Sequence, residues 1–448
     1  MPYSWQTLAG AQTDLAARLY DSGQQWWGPG QLTACILEAL RTWNALTSFW
    51  RQDMVVSLVT STWWYDIAAA SGSVRPMTVT DNDLLQSIEY SLVEPPTSAY
   101  PLAWTGTDQF DVDNLLGAIQ RRRDETLSTT GCTTSRLLVS APFGGRVYLS
   151  DNAIDIRRVA WVPVAGLGYD QRTLRQSDAM SKAFYDRGYT TAAPGPPRSY
   201  MQSSQPPLSF DPDRVPPVAG KYEVLANLAG PALSTDAPTV MGIPDDWTWV
   251  VKWGALGEVL GIESEAKDAL RAEYAMWRYR QGLALLTTAS AVLSARINNI
   301  PCLLDAVENG DDFNPGWQTI VPGVPRGIYL AGLNLFGASL IDSGTYTGTL
   351  QVVSNAPVTD PLQLSREDYT AILDEAQHLA AFNLGGSEFM ATVGLHKRFI
   401  ERAALYNSKL LGLGDYPRSM YEVSQLESER APVYGAVTPQ EVLGGGNQ

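Results

Sequence analysis

The chain has 448 residues, 45% of them hydrophobic and 18% charged, which supplies apolar material for two or three domains and excludes a disordered chain. Its 32 Lys and Arg stand against 47 Asp and Glu, and the resulting net charge of -15 opposes loose adhesion to nucleic acid or anionic membrane. Cys35, Cys132 and Cys302 contain no CxxC pair, so three buried reduced thiols are expected rather than a disulfide framework or a thiolate zinc site.

The N-terminus carries no basic region followed by an apolar core, so no secretory signal is predicted. Ser4 is placed to cap a helix bearing Leu8, Ala11, Leu15 and Leu19, and DSGQQWWGPG (21–30) breaks it. A second helix follows, with Leu32, Ile36, Leu40, Trp43, Leu46 and Trp50 on one stripe. Beyond Met54 the period shortens: VVSLVTSTWWYDI (55–67) and IDIRRVAWVPV (154–164) predict strands that partner each other, with 68–150 inserted between them around a helix near 112–127.

Residues 190–244 are dominated by Pro and Gly, including PGPP (194–197) and FDPDRVPP (210–217). They are expected to form edges, turns and extended arms rather than central strands. IPDDW (243–247) starts a helix with Trp247, Val250, Val251, Ala255 and Val259 inward, and a long helix is expected over 264–294. The longest uncharged helix-compatible run, 281–295, falls short of the roughly 20 residues a bilayer span needs. Ser365 and Asp368 open a further helix carrying Tyr369, Ile372, Leu373, Ala376 and Leu379, and from about Gly414 an extended tail is predicted.

One pattern occurs twice. GPPRSY (195–200) precedes a strand ending KYEVLANLAGP (221–231), a link and an apolar helix; GVPRGIY (323–329) precedes TYTGTLQVVSNAPV (345–358), a link and another apolar helix. Such repeats build stacking scaffolds rather than single reactive clefts. The expected fold is therefore α+β: a helical bundle with small antiparallel β modules and extended arms, and a duplicated β-then-helix module in the C-terminal half. The expected division is 1–67 with 151–300 as a helical core with a β arm, 68–150 as an insertion, 301–412 as the second module and 413–448 as the tail.

Chemistry-bearing patterns are sparse. His378 and His396 are the only histidines, no GxSxG elbow is present, and Glu375-x-x-His378 lacks the second ExxH of a di-iron bundle. Neither a phosphate-binding GxxxxGK[ST] loop nor a dinucleotide GxGxxG turn occurs. The pairs Asp111 with Asp113, Asp151 with Asp155, and Asp311 with Asp312 fit solvated loops or caps, and Arg121-Arg122-Arg123 with Asp124 and Glu125 fits a solvated helix end. No catalytic, cofactor or metal residue is assigned, and no enzyme is expected. Fourteen tryptophans, with pairs at 26–27 and 63–64, point to cores and interfaces. The residues assigned to partner contacts are Trp43 and Trp50, then Pro196, Pro197, Arg198 and Tyr200 of the first motif and Pro325, Arg326 and Tyr329 of the second.

The order of ILEALRTWNALTSFW (36–50), IRRVAWVPV (156–164), FDPDRVPP, KYEVLANLAGP and IPDDWTWVVKWGALGEVLG (243–261) resembles the head-to-tail connector, or adaptor, proteins of tailed bacteriophages, over roughly 4–65 and 151–290. The resemblance implies a virion protein of the neck or tail, assembled in the host cytoplasm. It implies a homo-oligomeric, about twelvefold ring of this chain docked beneath the portal protein. Such a ring continues the channel, passes genomic DNA without sequence-specific binding, and presents a platform for a tail or nozzle protein, with no membrane involved. The alternative is another tail component: a tail-tube, nozzle or baseplate subunit.

Overall fold

The computed structural model describes residues 6–412 except 61, 68–74, 95–99, 101, 103–108, 141–144, 164–171, 186–192, 204–207, 217–219, 263–266, 314–316, 319–322, 340–345, 359–361 and 363. The predicted tail and Ser4 lie outside the described residues. The first helix, α1 (Leu8–Arg18), is capped by Thr7, whose hydroxyl accepts from Gly10 N. Helix α2 (Pro29–Thr47) starts with proline in its first turn and stops where Ser48 turns left-handed at φ 48°. Strands β1 (Arg51–Leu58) and β2 (Trp64–Asp66) follow.

Helix α3 (Asp81–Leu92) opens on a Thr80/Asp83 capping box, and α4 (Val112–Thr130) is capped by Asp111 and ended by left-handed Gly131 at φ 57°. Then come β3 (Ser135–Ser140), β4 (Val147–Tyr148), β5 (Ala153–Pro163), β6 (Arg172–Gln176), α5 (Ala179–Tyr185), β7 (Ser199–Gln202), β8 (Ser209–Pro212) and β9 (Gly220–Leu228). A single turn at Asp245–Trp247 leads into α6 (Thr248–Gly261), and α7 (Ala269–Thr288) is capped by Asp268. The chain continues through β10 (Val292–Ile297), β11 (Ile300–Pro301), β12 (Leu303–Ala306), α8 (Val307–Phe313), β13 (Gly327–Ala331), β14 (Leu335–Ala338) and β15 (Tyr346–Val353). It closes with α9 (Arg366–Ala381), α10 (Gly386–Ala391) and α11 (Val393–Gly412).

The fold is α+β, and its topology states one pattern twice, nested. Residues 81–288 form a seven-stranded sheet of order β3-β9-β5-β6-β7-β8-β4. Residues 8–66 and 292–412 form the same order in two pieces, β1-β15-β10-β11 and β12-β13-β14-β2. Cys302 bridges these pieces, its N donating to Ala295 O at 3.0 Å. Relationships within each copy match as well. The pairs β6/β7 and β12/β13 are parallel, and every other pair in the two sheets is antiparallel. Arg175 N donates to Arg198 O and Leu303 N to Arg326 O, both at 3.0 Å, so the two PR motifs open equivalent strands. Strand β5 is bulged between Ile156 and Arg158 where β10 is bulged between Val292 and Ser294. Phe210 and Phe336, both fully buried, hold corresponding places opposite β4 and β2.

We call 81–288 the inner unit and the flanking residues the outer unit. The predicted division is thereby corrected: 68–150 contributes α3, α4 and β3 to the inner unit, and 1–67 completes the unit of 301–412 rather than that of 151–300. The predicted strand partners also separate, since β1 pairs β15, β2 pairs β14 and β5 pairs β9. Strand β9, expected at an edge, is central between β3 and β5. The run expected as one helix over 264–294 divides into α7 and β10. One large core joins the helices of both units, with Trp43 ringed by Phe49, Phe399 and Tyr406 and Trp253 set against Tyr274 and Phe382.

Candidate assembly surfaces and buried charge clusters

Burial separates the expected contact residues into two groups. Trp43 and Trp50 lie in the chain's own core, and Tyr200, Tyr329, Pro197 and Pro325 are buried beneath their sheets. Their surface is occupied within the chain and offers a partner nothing. Pro196, Arg198 and Arg326 are exposed. The repeated motif thus buries the proline that precedes its arginine, fixing the strand entry, and presents the arginine, in both units.

The units meet through a polar cluster with an apolar floor. Arg158 on β5, 3% exposed, reaches Asp311 of α8 with Nε at 2.5 Å from Oδ2, and donates from NH2 to Gln318 Oε1 at 2.7 Å. Glu223 on β9, wholly buried, accepts from Trp64 Nε1 at 2.9 Å and from Arg136 and Arg158. Arg157 at the β5 bulge pairs with Glu308 at 2.7 Å. Beneath these, Trp64, Leu225, Val307, Trp317, Tyr329 and Leu335 form a separate apolar cluster. Asp311, expected to be a solvated loop carboxylate, is instead a boundary residue.

A second seam links the helices. Lys252 Nζ and Trp253 Nε1 of α6 donate to the two oxygens of Glu38 on α2, at 2.7 and 2.6 Å. Asp246 accepts from Asn44 Nδ2 at 2.5 Å and from Ala356 N at 2.9 Å. Burial pushes its carboxyl up to about 6 despite Asn44 and Arg41, and burial pulls neighbouring Arg75 down to about 10. Arg123, expected at a solvated helix end, is fully buried and donates to Pro231 O at 2.9 Å and Gly230 O at 3.2 Å.

Both histidines belong to one buried cluster. Tyr274 Oη lies 2.7 Å from His378 Nε2, and His378 Nδ1 lies 2.8 Å from Thr392 Oγ1, which itself donates to Phe389 O. That direction makes Thr392 the acceptor and Tyr274 the donor, so a neutral imidazole protonated at Nδ1 satisfies both nitrogens. Burial, reinforced by His396, pulls His378 down to about 3. Glu375 accepts from Arg278 NH2 at 2.9 Å and lies 2.7 Å from His396 Nδ1. Burial would raise its pKa, but His396 and Arg278 outweigh it and hold the group near 2. The cluster ties α7, α9 and α11 together. Among the described residues no group of three or more His, Cys, Asp and Glu is arranged to hold a metal ion. The three cysteines are unpaired, and only Cys132 is buried outright, a correction to the expectation of three buried thiols.

No protein-family model matches this chain, and none of the curated proteins matches it in sequence. The surface therefore carries the functional reading. Sequence reasoning missed one apolar projection among the described residues: α5 holds Met180, Phe184 and Tyr185 at 82%, 76% and 85% exposure. Lys182 Nζ, 3.5 Å from Asp213, fixes the helix to its sheet. The available signal was the distance of α5 from the first PR motif, which matches that of α8 from the second. No helix among the described residues is long and apolar enough to cross a membrane.

Proposed function

We propose that this chain is a structural virion subunit of the tailed-bacteriophage neck: a head-to-tail adaptor that forms a ring under the portal, continues the DNA channel and provides the platform for tail proteins. The observation that carries this reading is the α+β unit present twice in one chain, one copy nested in the other, which suits a wall built by lateral repetition. We read the nesting as a duplication in which one copy entered the other between β2 and β10. The ring body is assigned to the shared helical core, and the C-terminal tail is assigned to contacts with neighbouring proteins.

Because each chain carries the unit twice, a ring with about twelve unit positions closes with half that number of chains. The net charge of -15 favours passage of DNA without adhesion. The test is native mass measurement and negative-stain imaging of the chain mixed with purified portal particles. A closed, DNA-wide ring seated on the portal is the expected result. Rings that bind tail components and ignore portal favour a tube, nozzle or baseplate subunit instead, and a chain that never joins either overturns the reading.

A further inference from the structure

The contact between the two units uses different surfaces on each. The outer unit contributes the side bearing α8, with Glu308 and Asp311; the inner unit contributes the face of β5 and β9, with Arg157 and Arg158. A contact of that kind is head-to-tail, and among the described residues it leaves one donor side and one acceptor face without a counterpart in the same chain. The unused donor side is that of α5 on the inner unit. The unused acceptor face is that of β10 and β15 on the outer unit.

The registers identify which residues correspond. Ser199 stands opposite Arg175 as Gly327 stands opposite Leu303, so counting onward places Met180 and Ala183 of α5 where α8 has Glu308 and Asp311. At the paired bulges, Ile156 and Arg158 face Ala226 and Leu225 as Val292 and Ser294 face Val352 and Gln351. Leu293 and Ser294 therefore stand where Arg157 and Arg158 stand.

Both members of each contact change together. Where the closed contact pairs Arg157 with Glu308 at 2.7 Å, the open surfaces carry Leu293 and Met180; where it pairs Arg158 with Asp311, they carry Ser294 and Ala183. A solitary exposed face has no reason to exchange charged for uncharged side chains in step with a distant helix. Two faces that meet do, because a charge left opposite a methyl group would be desolvated without compensation. The acceptor adjoins the occupied contact: Ser294 and Arg296 are exposed, and an open cleft of about 570 Å³ runs from Leu293, Ser294 and Gln351 on one wall to Arg157 and Glu308 on the other.

We infer that a second copy of this chain docks its α5, through Met180, Phe184 and Tyr185, onto the β10/β15 face at Leu293 of the first, repeating between chains the contact that already exists within each. Successive chains then add units in one direction, and the assembly closes or elongates by rotation alone. The inference rests on the correspondence of the two units and not on the neck reading: chains that assemble through α5 yet ignore portal keep it while losing that reading.

The experiment is sedimentation velocity with native mass measurement on the full chain over rising concentration. Wild type should form assemblies larger than dimers. Met180→Glu and Leu293→Arg, each alone, should weaken association about tenfold or more. The double variant, and an equimolar mixture of the two single variants, should recover it, because the copied ion pair replaces the apolar one. Met180 is exposed, so its variant should melt as wild type does; if Leu293→Arg fails to fold, exposed Ser294→Arg takes its place, set against Ala183→Asp. Wild type that stays monomeric at every concentration overturns the inference. So does association that Met180→Glu and Phe184→Glu leave unchanged, and so does loss in the single variants without recovery in the double.

Discussion

Arg158 of the inner sheet and Asp311 of the outer unit form an ion pair with Nε 2.5 Å from Oδ2, although 153 residues separate them in sequence. The pair holds the units in register, because Arg158 also contacts Glu223, Gln318 and Thr173. Replacing Arg158 with Leu leaves Glu223 buried with less compensation and should cost about 3–5 kcal/mol. Asp311→Asn keeps a hydrogen-bonding oxygen and should cost about 1–3 kcal/mol. Urea midpoints are the check, and the smaller loss in the Arg158 variant would contradict the assignment.

Stability should fall as pH drops below neutral. His378 has its folded pKa lowered from 6.5 to about 3, and Glu375 from 4.5 to about 2. In both cases the unfolded chain takes a proton the folded chain refuses, so their contribution is complete above pH 6.5 and declines below it. Asp246 runs the other way: raised from 3.8 to about 6, it favours the folded state below 3.8 and loses that advantage as pH rises through 6. His378→Gln should therefore flatten the acid decline and Asp246→Asn should steepen it, as read from denaturant unfolding across pH.

Helices α6 and α7 approach closely at Gly282, where an added Cβ would lie 2.6 Å from Val250 Cγ2 and 3.0 Å from the Trp249 ring. Alanine gains about 1 kcal/mol in helix propensity over glycine. Overpacking against two buried side chains should outweigh that gain, for a net loss of about 1–2 kcal/mol in Gly282→Ala. A raised melting temperature would show that the helices can separate without penalty.

Trp43, with no exposed surface, should behave as a core residue: Trp43→Ala should cost about 3–5 kcal/mol whether or not the chain is assembled. Arg326→Ala, at an exposed strand entry, should stay within about 0.5 kcal/mol in the isolated chain. Thermal unfolding of both variants separates these roles.

Local features were legible in the residues alone. The stripe from Leu32 to Leu46 gave α2, Ser365 with Asp368 gave the start of α9, and the two PR motifs marked β7 and β13, because helical period, caps and proline restriction act within a few residues. The repeat was visible only where its two strand entries kept the same letters. Its remaining halves were not, since α1 and α3 or β2 and β4 share topology without shared sequence.

Tertiary structure alone decided that Arg51 pairs with Val353, that residues 8–66 belong with 292–412, and that two histidines close one buried cluster. Those choices depend on partners distant in the chain, and a single chain's hydrophobic pattern specifies that a face must be covered without naming what covers it. The same reason hid α5: seven residues with Met180, Phe184 and Tyr185 have the composition of a core helix, and only the packed fold left them on the outside.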